Sequence, residues 1–179
     1  MVNKIVSSKN IIAEILCVLA IALFIPEIIN LFNQDFRDVV FTLILYSTAI
    51  LSAVYILVLL LTKKELTLKA LILPVILLFG GVAANSLRNV IEFNSWSSVY
   101  YTALYVAAII AYFLLAFNEN KKEFQIVVYI LFLIILATNL LGVFGGGAMS
   151  LARLIIGLII IGNVYLNLNN KEEENNENN

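Results

Sequence analysis

Histidine is absent from the 179-residue chain, cysteine occurs once, at Cys17, and Asp35 and Asp38 are the only two aspartates. A single cysteine excludes an intrachain disulfide, and the lack of histidine excludes Cys/His zinc sites. It also removes Ser–His and Cys–His hydrolase chemistry and ordinary haem ligation. Both aspartates sit in a polar stretch between apolar runs, which argues against an intramembrane aspartyl pair. No lysine lies deep within an apolar run, which argues against a Ser–Lys dyad or a Schiff-base chromophore. No phosphate-cradling glycine motif is present. Enzymatic function is therefore disfavoured, with a glutamate-based site near Glu27 and Glu92 as the one arrangement left open. No metal or other cofactor is implied, and nothing points to nucleic acid.

Charge is scarce as well: 13% of residues are charged and 62% are hydrophobic. Soluble domains average about 25% charged and about 45–50% apolar, so a soluble fold would have nowhere to place the excess. A bilayer removes the difficulty. A span needs roughly 20 mainly apolar residues to cross about 30 Å of hydrocarbon. Six runs meet that requirement, at 11–32, 39–62, 68–93, 96–117, 124–144 and 149–168. None alternates with period 2, and each is too long for a barrel strand. Backbone groups in lipid must be paired within the segment, so the runs are read as helices. The fold class expected is all-α: a polytopic membrane protein with one bundle of about six transmembrane helices over 1–168.

Between the runs lie short polar breaks at 33–38, 63–65, 94–95, 118–123 and 145–147. Asp35 and Asp38 suit a helix N-terminus, where unpaired N–H groups need acceptors. The triple glycine at 145–147 reads as a tight turn. The polar end, 169–179, carries too little apolar area to fold and is expected to be a disordered tail. Residues 1–22 also resemble a signal peptide, with Lys4 and Lys9, an apolar run and Ala20-Ile-Ala22 as a cleavage pattern. Glu14 inside that run, and its continuation to Phe32, argue against cleavage.

The basic residues divide by side. With six spans, Lys4, Lys9, Lys63, Lys64, Lys69, Lys121, Lys122 and Lys171 share one face, against Arg37, Arg88 and Arg153 on the other. The positive-inside rule then predicts a cell-membrane protein with both termini cytoplasmic. Trp96, Tyr100 and Tyr101 would join an aromatic belt at the outer interface.

Polar residues concentrate in the outer halves of the spans. On the third, Pro74, Gly81, Asn85, Arg88 and Glu92 fall within a narrow arc at 100° per residue, and Asn89 lies nearby. Gly80-Gly81 and Ala83-Ala84 permit a close neighbour. Glu27 and Asn30 lie near the outer end of the first span, Tyr105 on the fourth, Thr138 and Asn139 on the fifth, and Arg153 on the sixth. The inner halves offer only Glu14 and Asn163. Ionisable groups at membrane depth usually face a bundle interior or a wet cavity. The functional reading is an outward-facing pocket with Arg88 and Arg153 as cationic anchors. Asn85, Asn89, Asn139, Tyr105, Glu27 and Glu92 would complete it, and the ligand would be an anionic or zwitterionic solute. The structural reading pairs Arg88 with Glu92 at i, i+4 and Arg153 with Glu27, or lets both arginines snorkel to headgroups. On the first span Ala13, Cys17 and Ala20 form a small-residue face, used either for internal packing or for another membrane subunit.

In size, span number, cytoplasmic ends and outer polar cluster, the chain resembles the substrate-binding component of energy-coupling-factor transporters. The resemblance is architectural. It implies binding of a vitamin or related solute from the outer side, with a small-residue face of the first span against a coupling subunit. Ala13-Glu-Ile-Leu-Cys17 departs from that family's Ala-xxx-Ala pattern by ending in cysteine. The alternative is an accessory or immunity-type membrane protein that acts by helix–helix association and needs no pocket.

Overall fold

The computed structural model describes residues 2–31, 36–119, 121–145 and 147–177, with side chains described for 11–31, 39–119, 121–145 and 147–166. Six helices follow in order: α1 Val2–Leu31, α2 Phe36–Leu61, α3 Ile72–Phe93, α4 Trp96–Phe117, α5 Lys122–Phe144 and α6 Ala148–Glu177. There is no strand among the described residues. Each helix contains an apolar stretch of 19 to 23 residues, and about 1.5 Å of rise per residue makes that long enough to cross a bilayer. Ile15, Leu51, Leu133 and Leu141 are more than half exposed along these stretches. Such a surface is stable against lipid and not against water. The chain is therefore a multi-pass membrane protein of the all-α class.

Each helix packs on its neighbours in the sequence, and α6 returns to α1, so the six form a closed ring. A lighter contact between α2 and α6 passes inside α1. Aromatic side chains fill the middle. The Phe79 ring of α3 meets Phe132 of α5 edge-on at 5.0 Å and Tyr105 of α4 at 5.6 Å. Tyr112, deeper on α4, tilts against Phe132 at 6.0 Å.

Small residues set the spacing of α2 and α3. A Cβ on Gly81 would collide with the Thr48 hydroxyl, whereas one on Gly80 would meet nothing. Ser52 of α2 donates to the Pro74 carbonyl of α3 at 3.0 Å in a buried position. Pro74 lies in the first turn of α3, where its missing N–H has no helical partner to lose. The two-residue link between α3 and α4 works because Asn94 takes a left-handed conformation (φ 49°), which asparagine tolerates.

Three boundaries differ from the sequence reading. Helix α3 starts at Ile72, not at 68. Thr67 Oγ1 accepts from the Ala70 N–H at 3.2 Å, and the Leu68 carbonyl accepts from the Tyr112 hydroxyl at 3.0 Å, so 67–71 folds as a turn against the bundle. Leu66, Leu68 and Leu71 are buried there. Helix α1 begins at Val2, well before its apolar stretch. Helix α6 continues to Glu177 where an unstructured tail from 169 was expected. No Gly or Pro interrupts that segment, and Lys171 and Glu172 to Glu174 are good helix formers. The expected loop contributions of Asp35 and the side chains of Arg37 and Asp38 lie outside the described residues, as do the side chains of Lys4, Lys9 and Lys171.

Candidate functional site

Within the ring, α3, α4, α5 and α6 leave space between them. A cavity of about 220 Å³ lies there, lined by Val82, Asn85, Ser86, Tyr101, Tyr105, Thr138, Asn139, Ser150 and Arg153. It occupies the end of the bundle that carries the 94–95 and 145–147 connections, above the Phe79–Phe132 layer. The helical period brings these residues together. Val82 and Ser86, Tyr101 and Tyr105, and Ser150 and Arg153 are spaced three or four apart, so each pair shares one face of its helix.

Arg153 is the only charged group in the lining. Its Nε is buried without a hydrogen-bond partner. One terminal nitrogen donates to the Met149 thioether one turn back, and sulfur of that kind is a weak acceptor. Tyr46 and Tyr105 lie within electrostatic range of the guanidinium. No carboxylate of a described residue lies at ion-pair distance from it. Buried polar groups are nearly always satisfied, and this guanidinium, beside a polar cavity, keeps one buried donor without an acceptor.

The other lining groups are uncharged. Asn139 is buried and donates to the Ile135 carbonyl at 2.9 Å. Thr138 donates to the same carbonyl at 2.8 Å. The Tyr105 hydroxyl lies beside both side chains. Asn85, Ser86 and Ser150 carry no side-chain hydrogen bond to another described residue.

Of the eight residues expected in the pocket, the structure brings Asn85, Tyr105, Asn139 and Arg153 together. Arg88 and Glu92 are elsewhere. Arg88 Nε donates to Glu92 Oε2 at 2.7 Å, and its guanidinium carbon stands 4.3 Å from the centre of the Phe41 ring on α2. This is the structural reading of that pair. Asn89 uses its backbone carbonyl to cap α3, accepting from the N–H groups of Asn94 and Ser95. Glu27 reaches Tyr46 and not Arg153: the Tyr46 hydroxyl donates to its Oε2 at 3.3 Å.

Ser86, Ser150, Thr138, Tyr101 and Val82 were not singled out as site residues from the sequence. Serine and threonine in apolar helices commonly return their hydroxyls to a carbonyl one turn back, which hides them among packing residues. The available signal was spacing: Ser150 lies three residues before Arg153 and Ser86 adjoins Asn85.

Cys17 and Ala20 are fully buried, and Ala13 packs against the same core. That face of α1 meets α2 and α6 within the chain. Cys17 and Ala20 are thus taken up in internal packing. No three His, Cys, Asp or Glu side chains among the described residues come together in a way that would hold a metal ion.

Fold and site together define a polytopic membrane protein with a polar, singly cationic cavity in one half of its helical ring. Comparison with protein-family models, with curated proteins and with solved structures gave no match.

Proposed function

We propose that the chain is a solute-binding or transport component of the cell membrane that admits a small solute to this cavity from the outer side. The observation that carries the reading is the buried, unpartnered Nε of Arg153 beside a lining of hydroxyl and amide groups. The lysine distribution supports the orientation, since the positive-inside rule sets the lysine-bearing face and both ends in the cytoplasm. The cavity then lies in the outer half. The small-residue face that the architectural resemblance assigns to a coupling subunit lends this reading no support, because Cys17 and Ala20 are buried within the chain.

The test uses single cysteines in a Cys17→Ser background. Ser150→Cys should react with an impermeant thiol reagent applied outside intact cells, and a mixture of small polar solutes should slow that reaction. Lys64→Cys should react only after permeabilisation. Labelling of Lys64→Cys from outside would overturn the orientation. Failure of Ser150→Cys to react from outside, with Lys64→Cys behaving as expected, would overturn the outward-facing cavity.

A further inference from the structure

We infer that the occupant of this cavity is a compact, hydroxylated oxyanion bearing a single negative charge; the inference rests on the solute-binding reading above. Three observations define the class.

Charge comes first. Arg153 is the one cation of the lining, and the lining contains no carboxylate. Among the described side chains, Glu92 is paired with Arg88 and Glu27 accepts from Tyr46. A single anionic group satisfies the guanidinium through Nε and a terminal nitrogen, the two-point fork that carboxylates and phosphodiesters accept. A second negative charge would find no second cation in the lining, and an uncompensated charge at membrane depth is costly. The ammonium of a zwitterion would find no carboxylate. A neutral solute would leave the guanidinium as it stands.

Size comes second. The volume of about 220 Å³ lies below the roughly 300–1,000 Å³ of drug-sized pockets. A small occupant is therefore favoured over a drug-sized one.

Polarity comes third. Eight of the nine lining residues carry a polar side-chain group, Val82 being the exception. Asn85, Ser86 and Ser150 face the occupant without another partner. Hydroxyls on the occupant satisfy these groups, whereas a plain alkyl acid would bury them unpaired at a cost.

The same chemistry belongs to a hydroxylated, singly charged lipid headgroup, so the experiment separates the two sources. Full-length protein in phosphatidylcholine nanodiscs, with and without phosphatidylglycerol, is titrated at pH 7 with lactate, lactamide, alanine and malate. These compounds are of similar build and differ in charge. Lactate should bind most tightly, and Arg153→Gln should weaken it about tenfold to a hundredfold, as loss of a charge-assisted hydrogen bond implies. Arg153→Lys keeps the charge without the fork. It should retain the preference for lactate at reduced affinity, and it serves should the glutamine variant not fold. Tighter binding of alanine, malate or lactamide would overturn the charge class and leave solute binding intact. Stabilisation by phosphatidylglycerol alone, lost in Arg153→Gln, would keep the charge class and overturn the soluble source. No Arg153-dependent response to any compound or lipid would overturn both.

Discussion

The Tyr112 hydroxyl of α4 donates to the Leu68 carbonyl at 3.0 Å, and both residues are buried. This bond ties the turn before α3 to the bundle, where Leu66, Leu68 and Leu71 are buried. Tyr112→Phe keeps the ring and removes the donor, leaving a buried carbonyl unsatisfied. The expected loss is about 1–3 kcal/mol of stability. Thermal unfolding in detergent measures it. Proteolysis between Lys63 and Lys69 should also become faster, and a variant with an unchanged unfolding midpoint would show that the turn is held by its leucines alone.

Adjacent glycines on α3 should respond oppositely to the same change. Gly81 faces Thr48 with no room for a Cβ, while Gly80 has open space. Gly81→Ala should destabilise by about 1–3 kcal/mol through overpacking. Gly80→Ala should be neutral or stabilising by up to about 1 kcal/mol, because alanine is the better helix former. Unfolding midpoints of the two variants, measured side by side, check the close approach of α2 and α3. Equal midpoints would mean that Thr48 yields at little cost.

The Arg88–Glu92 pair is predicted to be separable from the cavity. Glu92→Gln removes one partner of an i, i+4 pair near the end of α3, and pairs of this kind are worth about 0–1 kcal/mol. Solute affinity should stay within experimental error of wild type, in contrast to Arg153→Gln. A loss of affinity in Glu92→Gln comparable to that in Arg153→Gln would return Arg88 and Glu92 to the site.

The sequence by itself determined the class of this protein. Six apolar runs in a chain with little charge leave few options in a bilayer, where each backbone must satisfy itself and helices result. Local pairing was legible too: Arg88 has Glu92 one turn ahead on the same helix, so spacing alone predicts the ion pair the structure contains. Arg153 has no acid three or four residues away, and Met149 is its neighbour one turn back. Whether Glu27 reaches it depends on how α1 and α6 sit around the ring, which no spacing within one helix encodes. The tertiary structure decided that question by setting Tyr46 against Glu27 and bringing Tyr105 of α4 and Asn139 of α5 to the cavity that Arg153 lines. It also decided that the small-residue face at Cys17 and Ala20 turns inward. The physical reason is common to both. Hydrophobicity along the chain sets which segments enter the membrane, but lipid is as apolar as the helix surfaces it meets. The rotation of each helix, and hence which polar groups meet, follows from close packing and hydrogen bonds between helices.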